Sequence, residues 1–168
     1  MCFGLAARLK RRDVALEVVH EVARRCPLPI NEDTSYEAQA WILHTQIAEE
    51  LLAASRYPVV LCDRAVIDNY AYLAQANGAV PALDQLVDSW LVSYQRIVLV
   101  PVLDEPSADG TRAADPLFQR AIDMRVRSEL ERRGVSFVDL SQVAREHWLD
   151  HVENIAIDDL KPPQLDLL

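Results

Sequence analysis

Short apolar runs alternate along this chain with longer stretches whose apolar residues recur at helical spacing. Residues 2–12 open on a helical stripe of Phe3, Leu5, Ala6 and Leu9. Residues 14–19, Val-Ala-Leu-Glu-Val-Val, read as a strand through their β-branched residues. His20, Glu21, Val22, Ala23, Arg24 and Arg25 then lead into a loop holding Pro27 and Pro29. Thr34 and Glu37 have the spacing of a capping box, which predicts a helix over 36–55 carrying Trp41, Ile42, Ile47, Leu51 and Leu52. A strand is predicted over 58–62, a helix over 66–77 stopped by Asn77-Gly78, and a helix over 82–94 opened by Pro81. A strand over 96–101, a polar loop over 103–114, and a helix from Asp115-Pro116 to Gly134 follow. The last elements are a strand over 135–139 and a helix over 141–153. A single domain over 1–157 is expected, with a tail over 158–168, containing Pro162-Pro163, loosely attached.

Alternation of strand and helix predicts an α/β fold, a parallel sheet with helices on both faces. Val59, Val60, Leu61 and Cys62 are apolar in succession, as in a strand covered on both sides. Ligands in such sheets bind beyond the carboxyl ends of the strands, where Asp63 and Arg64 fall. An acid there holds Mg²⁺ directly or through water, and an arginine pairs with phosphate oxygens. The alternative is a strand end with two solvated charges. Glu21 follows the first strand as Asp63 follows the second, so both project from one edge; a structural role for Glu21 is the alternative. Arg120, Asp123, Arg127 and Glu131 share a face of the 116–133 helix, and for Arg127 and Glu131 a salt-bridged surface is the simpler reading.

The chain has 168 residues, about half of them apolar and a quarter charged, which suits one globular domain. A net charge of −9 argues against nucleic-acid binding, which needs a basic face, while leaving room for small phosphate ligands. Cys2, Cys26 and Cys62 are scattered without a CxxC pair, as expected in a reducing cytoplasm. No run is long enough for a membrane span, and charged residues from Arg8 to Asp13 follow Met1–Leu5 too closely for a signal peptide. A cytoplasmic location is expected.

Other signals read as structural. His147 and His151 stand four apart, but Trp148-Leu149-Asp150 between them lacks the glutamate of HExxH, so they are expected to be solvated. Trp41, Trp90 and Trp148 are expected in the core, and Cys62 as a small core residue. His20 reads as a strand-end residue. Gln39 or Gln46 offers only a weak signal for nucleobase contact, and Tyr70 and Tyr72 line a pocket or pack in the core.

Several of these features together resemble a known family. The opening helix Cys2–Arg11, the strand followed by Glu21-Val22-Ala23-Arg24, the strand Val59-Val60-Leu61-Cys62-Asp63-Arg64, the loop Asp109-Gly110-Thr111-Arg112 and the run Phe118…Arg120…Ile122-Asp123 carry the likeness. In order and spacing they are similar to P-loop nucleoside-kinase-like domains, in particular the AAA-type domain of bacterial nicotinamide riboside kinases. The resemblance implies a three-layer P-loop NTPase-like parallel sheet, with ATP and Mg²⁺ as cofactors. It implies phosphoryl transfer to a nucleoside-like or other small hydroxyl acceptor. Asp63 would stand near Mg²⁺, Arg64 on a phosphate, Glu21 as general base, and Arg112 and Arg120 in or beside a lid over the phosphates.

One departure bears on all of this. The family's strand and phosphate loop GxxxxGK[ST] precede the first helix, and here Gly4, Gly78, Gly110 and Gly134 are the only glycines. Lys10 falls inside the helix. The expectation is a fold truncated at its N-terminus, with the start assigned downstream of the true one and the chain as printed inactive and binding ATP weakly or not at all. The alternatives are a non-catalytic nucleotide- or phospholipid-sensing module and a degenerate remnant acting as an interaction domain.

Overall fold

The computed structural model describes residues 1–102 and 115–161. Helix α1 (Cys2–Lys10) leads to strand β1 (Leu16–Val19), helix α2 (Tyr36–Ala54), strand β2 (Val59–Cys62), helix α3 (Val66–Asn77) and helix α4 (Pro81–Leu91). Strand β3 (Val98–Leu99), helix α5 (Pro116–Arg132), strand β4 (Val138–Asp139) and helix α6 (Trp148–Leu160) complete the order. The expected loop 103–114 and the tail after Lys161 lie outside the described residues.

The strands form two short parallel sheets. Strand β1 pairs with β2 in the register Leu16–Val59 to Val19–Cys62, and β3 pairs with β4 through Val98–Val138 and Leu99–Asp139. Pairing between β2 and β3 does not occur among the described residues, so the expected single sheet is two sheets side by side. Alternate residues of β3 serve opposite sides. Leu99 joins a core of α2, α3, α4 and α5 built on Leu43, Ile67, Tyr70, Val87 and Leu130, whereas Val98 joins a second core with α1, α6 and the other strands. This period of two gives β3 one apolar face in each core. The fold is helix-rich α/β.

Local chemistry sets most boundaries and corrects several expectations. Helix α2 is capped by Ser35, whose Oγ accepts from the Ala38 N–H at 3.2 Å, and not by Thr34. Thr34 Oγ1 instead accepts from Gln39 Nε2 at 2.8 Å. Glu37 reaches back to Ser35 and its carboxyl is held below the ordinary value by hydrogen bonds from backbone and Ser35. Asp115 caps α5 as expected, its Oδ1 accepting from Leu117 N–H at 2.8 Å. Gly78 ends α3 at φ +77°, a conformation that a side chain disfavours.

Phe3, Trp41, Leu51 and Leu52, all expected on buried faces, are exposed; the α2 stripe that is buried runs through Ala38, Ile42, Leu43 and Gln46. Trp90 and Trp148 are half-buried with their indole N–H groups satisfied, the latter by the carbonyls of Leu140 and Val143. The final helix begins later than expected, because two 3-10 turns, Leu140–Gln142 and Arg145–His147, precede it. Arg127 reaches across to Asp139 at 2.8 Å, tying α5 to the end of β4. His147 and His151 are both exposed, as expected.

Two outcomes test these assignments. Ser35→Ala is expected to lower unfolding free energy by about 1 kcal/mol in urea titration. The Arg127 hydrogen bond, with the Ser141 N–H, holds the Asp139 carboxyl down to about 2. Its stabilising effect is therefore complete above the ordinary carboxyl range and is lost as pH falls towards the folded value. Arg127→Met is expected to raise the Asp139 midpoint in carboxyl NMR titration towards the ordinary value, and an unmoved midpoint would assign the depression to Ser141, through its N–H and hydroxyl.

Candidate functional site

Parallel pairing brings two loops to one edge. Val19 and Cys62 end their strands opposite each other, and the ladder continues through Asp63 N–H to Val19 O at 2.8 Å. Glu21 and Asp63-Arg64 therefore leave the same edge on neighbouring strands. Arg64 adopts φ +91°, a backbone region that non-glycine residues avoid at a cost of order 1–3 kcal/mol. That turn aims its guanidinium between two acids. Arg64 Nη1 donates to Asp68 Oδ1 at 3.1 Å, and Nε lies 3.5 Å from Glu21 Oε1. Glu21 Oε2 accepts from Arg24 Nε at 2.8 Å. Desolvation works against the Arg64 cation, but Asp68, Tyr72 and Glu21 outweigh it and hold its pKa above the ordinary value.

A buried acid holds this turn from behind. Glu50, 6% exposed on α2, accepts from Gln46 Nε2 at 2.7 Å, Trp90 Nε1 at 2.7 Å and Tyr94 Oη at 2.8 Å. Gln46 Nε2 also donates to the Arg64 carbonyl at 3.1 Å, and Tyr94 Oη accepts from the Val66 N–H at 3.1 Å. Asp68 Oδ2 takes the Ala65 N–H at 2.9 Å. The groups freed by the Arg64 turn and the first N–H groups of α3 are thus answered by side chains. Burial and Glu50 push the Tyr94 phenol and the Cys62 thiol up, so both stay neutral donors. Gln46 is structural.

The site opens on a cavity of about 1390 Å³ that runs between β2 and β3. Its walls include all of β2, residues Arg96–Val102, Leu5 and Leu9 of α1, and Trp148 and Val152 of α6. Glu21, Asp63, Arg64, Asp68, Tyr72 and Asp123 line it together. The β2 residues, expected to be fully covered, are only half-buried because they flank this space. The N-terminus of α1 stands at the end of β2: Cys2 Sγ donates to the Cys62 carbonyl at 3.6 Å, and burial with the nearby Asp63 raises the Cys2 pKa. Burial likewise pushes the Asp123 carboxyl up, opposed by Arg127 and Arg64 and aided by Asp139 and Asp68.

Of the expected site residues, the structure brings Glu21, Asp63 and Arg64 together. Arg120 is exposed on α5, whose cavity-lining residues are Gln119, Ile122, Asp123 and Val126. Arg112 lies outside the described residues. Asp68 and Glu50 escaped the sequence reading. For Asp68 a signal existed in the spacing of four from Arg64 on an N-terminal helical turn. Glu50 sits among Glu49, Leu51 and Leu52, and nothing local separates it from a solvated acid.

The residues present suit a cation held by one carboxylate and completed by ligand oxygens. No group of three potential metal ligands forms among the described residues, and Mg²⁺ at phosphates ordinarily takes one or two carboxylates. Asp63 is the residue that would hold it. The phosphates are a different matter: the described residues supply no glycine-rich run of N–H groups beside Asp63, so a triphosphate cradle does not fit what is present. What the edge does provide is an oriented carboxylate, Glu21, and a fixed cation, Arg64.

Glu50→Gln is expected to lower stability by about 1–3 kcal/mol in urea titration, since one buried donor loses its acceptor. Asp63→Asn, on the half-buried rim, is expected to change stability by less than about 0.5 kcal/mol. A neutral Glu50→Gln would overturn its place as the anchor of the Arg64 turn.

Comparison with known proteins agrees with this architecture. No curated protein matches the chain. Residues 4–147 match the AAA domain family, which takes in β1 to β4 and the whole Glu21, Asp63 and Arg64 edge. The chain belongs to the AAA domain family, a P-loop NTPase-like group of nucleotide-binding domains.

Proposed function

We propose that this domain transfers phosphate from ATP to the hydroxyl of a small, nucleoside-like acceptor. The observation that carries the reading is the meeting of Glu21, Asp63 and Arg64 at one sheet edge, beside the N-terminus of α1 and at the mouth of a large cavity. In the reading, Glu21 accepts the acceptor hydroxyl proton, held in place by Arg24. Arg64 faces the negative charge that spreads over the transferred group. Asp63 would hold Mg²⁺, which when bound would supply neutralisation of phosphate charge.

In this proposal a further strand occupies the space between β2 and β3. Both flanking sheets are parallel, among the described residues β2 and β3 each pair on one side alone, and the apolar core of α1 and α6 runs beneath both. A single strand laid there, about 4.8 Å from each neighbour, joins the two sheets into one. Its carboxyl end would reach the Asp63 edge, and a phosphate loop from it would enter α1 at Cys2. Such a strand would complete the sheet and supply a triphosphate cradle.

Two measurements test it. In Mg·ATP assays of the gene product, read from the in-frame codons before Met1, against a nucleoside panel, Asp63→Asn is expected to reduce transfer at least about tenfold to a hundredfold. Glu21→Gln is expected to lower kcat by about 10²–10⁴ with nucleotide affinity nearly unchanged. Equal losses in kcat and affinity would make Glu21 structural. Tight ATP binding without transfer to any acceptor would favour a sensing module. An in-frame stop codon directly before Met1 would overturn the added strand.

A further inference from the structure

Single exposed apolar side chains are ordinary on a protein surface, but several on one helical face call for a partner. Leu28, Val92 and Leu160 are exposed one to a segment. Helix α2 differs. Trp41 is 36% exposed, Leu51 57% and Leu52 51%, and all three lie away from the face that buries Ile42, Gln46 and Ala53. Helical spacing adds exposed His44, Ala48 and Ser55 to the same outer face. From Trp41 to Ser55, about four turns, that face carries no acid, lysine or arginine. His44 folds back on its own helix, its Nδ1 2.7 Å from the Ala40 carbonyl, and Ser55 Oγ donates to the Leu52 carbonyl at 2.8 Å. Charge returns only at the two ends, with exposed Glu37 in the first turn and exposed Arg56 just past the cap. Arg56 has no ion-pair partner among the described residues.

We propose that α2 packs antiparallel against α2 of a second copy of this chain, closing a symmetric dimer. A two-fold interface has to complement itself, and the order of residues along this face does so when reversed. With the axis at the level of Gln46 and Ile47, Trp41 meets Leu51 and Leu52 of the second copy, and His44 meets Ala48. Glu37 then meets Ser55 and Arg56, so an acid faces an arginine at each end. Ala48, the small side chain at the crossing, lets the helix axes approach to about 8–10 Å. The start of each helix lies beside the end of the other, which sets opposite ends of the helix dipoles together. An anionic membrane also takes apolar helix faces, but it asks for a basic rim. This face offers one arginine against one acid, on a chain of net charge −9. A single helix pair makes a small interface, and association in the micromolar range is expected.

Sedimentation velocity on the full chain, from low micromolar to several hundred micromolar, reads the association. The parent is expected to pass from monomer to dimer across this range. Ala48→Glu keeps a good helix former but sets like charges near the axis, and is expected to weaken association at least about tenfold. It is expected to melt with the dilute parent. Should Ala48→Glu not fold, Leu52→Lys, at an exposed position, is expected to weaken association likewise. Met124→Glu, at an exposed position on α5, is expected to leave it unchanged. Arg56→Glu is expected to weaken dimerisation about twofold to fivefold, and Glu37→Arg combined with Arg56→Glu to restore it. A parent that stays monomeric, an association that survives both Ala48→Glu and Leu52→Lys, or equal loss with Met124→Glu would each overturn the dimer. So would a double charge exchange no tighter than Arg56→Glu alone. Binding of the parent to phosphatidylserine vesicles, lost in Ala48→Glu and with no dimer in solution, would assign the face to a membrane and overturn the dimer as well.

Discussion

The hydrogen bonds gathered by buried Glu50 are the constraint on which the site depends. A carboxyl group removed from water is costly unless donors surround it. Here Gln46, Trp90 and Tyr94 supply them from α2, the end of α4 and the segment before β3. Two of those donors are simultaneously fastened to the chain around Arg64, Gln46 to its carbonyl and Tyr94 to the Val66 N–H. One buried carboxyl group thereby fixes a strained turn, and the turn aims the Arg64 guanidinium at Glu21 and Asp68. Conformational strain at a functional edge persists only where its surroundings over-determine it, and the Glu50 network is that surrounding.

The second constraint is the divided sheet. Two pairs of parallel strands share a core of α1 and α6, yet no ladder joins them among the described residues. The cavity between them is continuous with the polar edge, so the space that separates the sheets is also the approach to Asp63 and Arg64. Helix α1 lines one side of this space and reaches the edge at Cys2. Ion pairs from Arg8 to Asp150 and Glu153 anchor its other end to α6. Exposed ion pairs of this kind add little stability; they fix the lie of the helix.

Much of the fold was legible in the sequence because its signals are local. The apolar run at Val59–Cys62, the Asn77-Gly78 stop and the Asp115-Pro116 start gave β2, α3 and α5 nearly to the residue. The cap of α2 was misplaced by one residue, since Thr34 and Ser35 carry the same hydroxyl chemistry and only the path of the chain chooses between them. Trp41, Leu51 and Leu52 misled for a different reason. An apolar side chain signals burial only if its face meets a neighbour, and α2 buries instead a stripe in which Gln39, Gln46 and Glu50 are polar. At the site, Glu21, Asp63 and Arg64 were legible as strand-end charges, whereas Asp68 and Glu50 depend on which elements come to lie beside them.

By itself the sequence determined that strands and helices alternate, that the strands run parallel, and that an acid and an arginine leave the end of one strand with a glutamate at the end of another. Those follow from periodicity and chain direction, which are properties of neighbouring residues. Only the tertiary structure decided that four strands make two sheets, that Glu50 is buried and answered, and that Arg64 turns back between two acids. These depend on contacts between residues far apart in the chain, where burial changes the cost of a charge and a hydrogen bond fixes a conformation that no local preference would select.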